Sequence, residues 1–335
     1  MIGIKYQVAT PLYDAYISKM QSRVQADLKK FMKRRNPADS KECHRFIKMY
    51  LAGKQYLDLV NKPVKLLRDF IDDVEMNFPQ LKECRLDESK RVTSPLYLFL
   101  HYHFIKHGFE SGFQEKNVKY KLPKDNLIEA IGIDVCPYCN RMFIYSSKSL
   151  RKVKVAQAEL DHFYSKELFP YLAISKYNLV PSCHCCNGHG AKFTTDAYNE
   201  GMVNPYEISN ADDYIDFRLR LKNVGVSSLD TLAESLSFKL IAKKPEMKSN
   251  INVLNLADLY QYHADYAAEL YFKSFVKTHR LYRSSIKGIL RRNGIYLTDD
   301  EIKRIIVGNY IKESDYGKRP LAKMMHDVSA ELGLI

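Results

Sequence analysis

Two Cys-x-x-Cys turns constrain this chain more than any other feature. Cys136-Pro-Tyr-Cys139 and Cys183-His-Cys-Cys186 stand apart in sequence, with 43 residues between them. A Cys-x-x-Cys turn lets two sulfurs reach one ion, and zinc closes a tetrahedron of four thiolates in a structural site. Cys136, Cys139, Cys183 and Cys186 are therefore expected to staple two remote segments around one Zn2+. Seven cysteines in a chain with no secretory leader pattern favour thiols and metal ligands over disulfides. Cys185 is a rival to Cys186, although Cys183-x-x-Cys186 has the standard spacing. A redox pair is the competing reading of these cysteines.

The insert between the turns carries Glu159-Leu-Asp161-His162-Phe and, further on, Asn178-Leu-Val-Pro-Ser-Cys183, and Asn187 follows the last cysteine. Histidine is the natural base near neutral pH. A carboxylate and an amide oxygen are hard ligands suited to Mg2+. If zinc brings the segments together, Asp161 and Asn187 can offer those oxygens while His162 activates water against a phosphodiester. His184 and His189 are rival candidates for the last ligand. Glu159 is read as structural, or as orienting a side chain near the metal.

The flanks read as scaffold. Thr10-Pro11 opens a helix whose Tyr13, Tyr16, Ile17, Met20, Val24, Leu28 and Phe31 recur at three- and four-residue steps, one amphipathic face. It ends in the basic run Lys29, Lys30, Lys33, Arg34 and Arg35, which suits a helix C-terminus. Asp39-x-x-Glu42 predicts a second helix to about Val60, and Lys62-Pro63 a third to about Phe78. Residues 94–110 form a fourth apolar segment. Its His101, His103 and His107 are read as scattered histidines, and Cys43 and Cys84 as buried thiols. Leu127–Gly132 is a short helix delivering the chain to Cys136. Residues 142–145 and 152–160 predict a β-hairpin turning at Ser146-Ser147-Lys148-Ser149, with Asp161-His162 at its end. Cys183 to Lys192 predicts a helix packed back on that hairpin. Alternation over 216–221 and 236–241 predicts two further strands. Lys273, Lys277, Arg280, Arg283, Lys287, Arg291 and Arg292 are placed on one long helix, and Thr298-x-x-Glu301 caps another. That basic face is open to two readings, phosphate tracking and a solvated surface.

The expected architecture is α+β: a mostly helical chain around a central zinc-stapled ββα module. Residues 1–130 form a helical platform, 131–206 the module, and 207–335 a mixed then helical basic region. The net charge of +13 favours an anionic partner, nucleic acid first. No apolar run suggests a membrane span or a signal peptide, and the expected location is cytoplasmic.

These residues resemble the HNH, or ββα-metal, endonucleases in their zinc-containing subgroup, over roughly residues 131–206. The resemblance implies hydrolysis to a 5′-phosphate and a 3′-hydroxyl by a single-metal mechanism. His162 matches the first histidine and would be the general base. Asp161 and Asn187 would bind the catalytic Mg2+. Asn178 matches the middle asparagine, which orders the loop and orients the base. Lys192 and Lys166 would contact substrate phosphate. Relatives often carry proline before the lysine matched by Lys166, where this chain has Ser165. The wider arrangement resembles bacterial antiphage HNH proteins of the Septu or retron-effector kind, which work beside an ABC-type or SMC-like ATPase. An RNA-cleaving toxin-like nuclease and a non-catalytic zinc module that binds nucleic acid or protein are the alternatives.

Overall fold

Proline fixes its own φ and lacks an amide that the first helical turn would leave unpaired, so Thr10-Pro11 starts a helix cleanly. The computed structural model describes residues 1–32, 37–144, 146–148, 154–156, 158–189, 191–222, 228–277 and 280–335. Helix α1 runs Pro11–Met32. Its Tyr13, Tyr16, Ile17, Met20 and Val24 are buried, as their spacing requires. The cations at 33–35 lie outside the described residues.

The second predicted helix is interrupted. Helix α2 (Pro37–Phe46) passes into a π-turn at Ile47–Leu51, and α3 (Lys54–Val60) follows. Asp39 lies inside the first turn of α2 rather than before it. Gly53 makes the break with φ +53°, a left-handed backbone that side chains resist. Helices α4 (Leu67–Asn77), α5 (Pro79–Leu86), α6 (Glu88–Arg91) and α7 (Pro95–Leu100) complete the N-terminal layer.

Helix α7 continues as a π-helix over His101–Glu110. Strands β1 (Phe113–Glu115) and β2 (Val118–Tyr120) form a tight hairpin. Lys116 and Asn117 turn it with φ of 45° and 65°. Helix α8 (Lys124–Ile131) ends at Gly132 as expected. The π-helix approaches the centre of the chain closely at Gly108, where a Cβ would sit 3.0 Å from the Ile174 side chain. Tyr16 donates to the Gly108 carbonyl at 2.5 Å, and Tyr13 donates to the Ile174 carbonyl at 2.7 Å. Together they fix the π-helix against the loop that follows His162.

The central hairpin differs from its expectation. Ser146–Lys148 is strand β3, not a turn, and it pairs with β4 (Lys154–Ala156). Residues 149–153 lie outside the described set. Asp161-His162 belong to a separate strand, β5 (Glu159–His162), which pairs antiparallel with β6 (Leu179–Ser182). The register sets Asp161 opposite Val180 and His162 opposite Leu179. Pro181 hid β6 from the sequence. It lacks a ladder donor, and only an edge strand of a two-stranded ribbon tolerates it.

The expected helix over 183–192 is a single turn, α9 (His184–Asn187). Gly188 is a poor helix former and stops it. Strands β7 (Ile215–Leu221) and β8 (Leu236–Ala242), which lie either side of α10 (Leu229–Ser235) in sequence, pair over seven residues, as the alternation predicts. Helices α11 (Met247–Val253), α12 (Leu256–Gln261), α13 (Ala264–Lys277), α14 (Arg280–Arg292), α15 (Asp299–Val307) and α16 (Ala322–Glu331) follow. The predicted long basic helix covers α13 and α14, and residues 278–279 between them lie outside the described set. Thr298 and Glu301 form the expected capping box of α15. Among the described residues, no helix is long and apolar enough to cross a membrane. Buried side chains from Met1 to Leu334 join one hydrophobic cluster.

Candidate functional site

Cys136, Cys139, Cys183 and Cys186 converge with all four sulfurs within 4.8 Å of one another, and all are buried. A tetrahedral zinc with Zn–S near 2.3 Å needs sulfurs about 3.8 Å apart. Cys139 Sγ and Cys183 Sγ lie at 4.0 Å, so the set fits the ion as folded. Burial pushes the Cys136 thiol well above its usual range, while hydrogen bonds from Cys136, Cys183 and Cys186 hold Cys139 well below. Cys185 is exposed and outside the set, which leaves Cys186 as the ligand.

Strand β5 sends alternate side chains to opposite faces. On one face lies Asp161. Tyr138 donates to its Oδ2 at 2.5 Å, and the Lys192 ammonium lies 3.0 Å from the same oxygen. Lys192 also donates to the His162 carbonyl at 2.8 Å. Lys192 is fully buried, so it is not the free phosphate contact that its position suggested. Burial and the Asp161 charge hold Tyr138 well above the usual range, so its hydroxyl remains a donor.

His162 occupies the other face. Its Nε2 is 2.9 Å from the Ala173 carbonyl, a pure acceptor, so Nε2 carries the proton. Nδ1 is then a lone pair, with no hydrogen-bond partner among the described residues. The Phe109 ring packs edge-on at 4.2 Å. Burial drops the imidazole to about 3, with Lys166, Lys192 and Lys124 adding to the shift and the Ala173 bond opposing it. The ring is neutral at physiological pH.

Asn178 is buried and holds the intervening loop. Its Oδ1 accepts from Tyr164 N at 2.7 Å, and its Nδ2 donates to the Tyr164 and Leu172 carbonyls. That loop carries Ala173, so Asn178 acts on His162 through the backbone. Asn187 does not reach Asp161 by a hydrogen bond. Its Nδ2 donates to Glu159 Oε2 at 2.7 Å, and Glu159 Oε1 lies 2.8 Å from His184 Nδ1. Burial raises the Glu159 carboxyl, but these two contacts outweigh it and set the group below the usual range. Since Asn187 gives its nitrogen to Glu159, its oxygen faces elsewhere. His189 is exposed and lies tilted against Phe193, with ring centres 3.7 Å apart. Lys166 pairs with Glu110 of the π-helix.

Tyr138, Phe109, Glu110 and Lys124 escaped the sequence reading. Tyr138 had a signal, an aromatic inside the first cysteine turn; the others lie far away in sequence and had none. A second group of possible ligands, Asp212, His326 and Asp327, is already balanced. The buried Lys323 ammonium lies 2.9 Å from Asp212 and 2.5 Å from Asp327.

No known family profile matches the chain, and no solved structure matches it. Over 70 residues the chain is 36% identical to the Septu protein PtuB of Bacillus thuringiensis. That match covers 21% of this chain and 23% of PtuB, so the chain spans under a quarter of this relative's length.

Proposed function

We propose that this chain is a metal-dependent nuclease that hydrolyses phosphodiester bonds, DNA first, as an effector of antiphage defence beside an ATPase. Residues 131–206 would be the catalytic module, with 1–130 and 207–335 as its flanks. The observation that carries the reading is the tautomer of His162. Nε2–H donates to the Ala173 carbonyl, which leaves Nδ1 as a lone pair on a neutral ring. In hydrolysis a water proton passes to Nδ1 as its oxygen attacks phosphorus, the P–O3′ bond breaks to leave a 5′-phosphate, and the departing O3′ takes a proton from solvent water to become the 3′-hydroxyl. Asp161 and Asn187 would hold the divalent cation, which stabilises charge on the phosphate when bound. The cation would compete with Lys192, whose ammonium balances Asp161 in this fold. The similarity to PtuB supports the defence role, and the basic balance of the chain supports an anionic substrate.

The buried Asp161–Lys192 pair favours a second reading. It suits a carboxylate that holds the fold, as a non-catalytic zinc module would use it. One assay separates the two. Plasmid, single-stranded DNA and total RNA are incubated with the protein and its ATPase partner, with Mg2+ or with EDTA. Cleavage that needs Mg2+ and falls at least ~100-fold in His162→Ala supports the nuclease. Intact substrates in every arm, or equal cleavage by His162→Ala, would overturn it.

A further inference from the structure

The imidazole of His162 is not the only group packed on Phe109. The Lys124 ammonium lies 3.7 Å from the Phe109 ring centre, and the Lys166 ammonium lies 5.7 Å from it. Two cations and the candidate base therefore gather around one ring. Glu110 pairs with Lys166. Lys124 makes no ion pair of its own within 4.0 Å among the described residues, and shares the field of Glu110 with Lys166. Lys124 and Lys166 thus set two positive charges against the one negative charge of Glu110.

Such a surplus is costly on a half-buried surface. Burial and the nearby Lys166 hold Lys124 below the usual lysine range. The face of Phe109 offsets part of that cost through its quadrupole. An anion would offset the rest. Lys124 is also held in place: it opens α8, whose Leu127, Ile128 and Ile131 are buried. The ammonium thus projects from a fixed helix and not from a free loop.

We propose that Lys124 and Lys166 form a phosphate subsite over Phe109, which grips the backbone phosphate next to the one presented to His162. This rests on the nuclease reading and adds to it a substrate-positioning residue from outside the module. The helical N-terminal region would then be part of the substrate site as well as a platform.

The test measures binding of a labelled DNA duplex to His162→Ala, alone and combined with Lys124→Met or Lys124→Arg, over a range of salt. Methionine keeps the stem on Phe109 and removes the charge; arginine restores the charge. One lost phosphate contact lowers the slope of log affinity against log salt by about 0.9. We expect Lys124→Met to show that loss with affinity down roughly 10-fold at low salt, and Lys124→Arg to recover the slope. In the catalytic background, Lys124→Met should raise KM and leave kcat within about twofold, as loss of uniform binding does. Inorganic phosphate is the competing probe. Phosphate that displaces the duplex at the duplex's own concentration would overturn the assignment to a nucleic-acid backbone. An unchanged slope and KM in Lys124→Met, with the wild type still cutting, would remove the subsite alone. A Lys124-dependent slope in a chain that cuts nothing would keep the subsite and remove the nuclease.

Discussion

Lys192 shows how a residue can be legible as important and yet be misassigned. The sequence placed it beyond Asn187 on a helix, free to meet a phosphate. The helix stops after one turn, and the chain folds back so that the ammonium enters the core against Asp161. Removing one partner of a buried ion pair leaves the other charge stranded and costs about 3–5 kcal/mol. Lys192→Met should therefore lower unfolding stability by that amount in urea titrations. Asp161→Asn combined with Lys192→Met should regain most of it, because neither charge is then left alone. Equal losses in the single and the double variant would show that Lys192 acts by packing.

His103 gives a second test at the same scale. Its ring lies 4.5 Å from Phe99 and 5.0 Å from Tyr102, and its Nδ1 is buried with no hydrogen-bond partner among the described residues. Burial drops its value from 6.5 to about 4. Between these values the unfolded chain binds a proton that the folded chain refuses. The stability contributed by neutral His103 is complete above pH 6.5 and falls as the pH drops towards 4. The loss is about 1.4 kcal/mol per pH unit for one group. His162, lowered to about 3, acts in the same direction. His103→Phe should flatten the acid limb of stability against pH by one proton's slope, read from denaturant titrations at each pH. An unchanged limb would mean that the ring is solvated.

At the scale of elements, legibility followed periodicity. Strands β7 and β8 follow from the alternation over 216–221 and 236–241, because one face of such a ribbon must be buried. Strand β6 was missed, because Pro181 resembles a break until its partner β5 is known. The π-helix over His101–Glu110 has no sequence signature, yet it brings Phe109 to His162. The cysteine turns were legible because their spacing encodes geometry directly. Cys183-His-Cys-Cys186 follows β6 directly and meets the Cys136–Cys139 turn, so the ion would clamp the one end of that ribbon where Glu159 faces Ser182. Structural zinc is worth about 10–16 kcal/mol of apparent binding. The purified protein should contain one zinc per chain by elemental analysis. Cys136→Ser should lose the metal and the cooperative melt together, whereas Cys185→Ser should keep both. A metal-free chain with an unchanged melt would remove the staple.

The module does not stand apart from its flanks, and this is open to test on the whole molecule. Tyr171, buried in the loop after His162, packs against Phe46 of α2 and Phe70 of α4 at 6.2 and 5.8 Å. Tyr13 of α1 holds the Ile174 carbonyl in the same loop. From the other side, Tyr260 of α12 donates to the Cys139 carbonyl at 2.5 Å, and Leu321 N donates to the Asn140 carbonyl at 2.6 Å. The cysteine cluster itself lies wholly within 136–186. A fragment of residues 131–206 should therefore still bind zinc, since no ligand is lost. It should not fold cooperatively, since Tyr171, Leu172 and Ile174 lose the apolar surfaces that bury them. Each large side chain so exposed forgoes roughly 1.5–3 kcal/mol, enough in sum to consume the 5–15 kcal/mol by which a domain is stable. The measurement is a thermal melt of the zinc-loaded fragment beside the full chain, with amide dispersion by NMR. A sharp transition and dispersed amides in the fragment would show an autonomous domain, and the flanks would then be attachments. A zinc-bound but broad-melting fragment would show that the loop carrying Ala173, and with it the tautomer of His162, depends on side chains more than a hundred residues away.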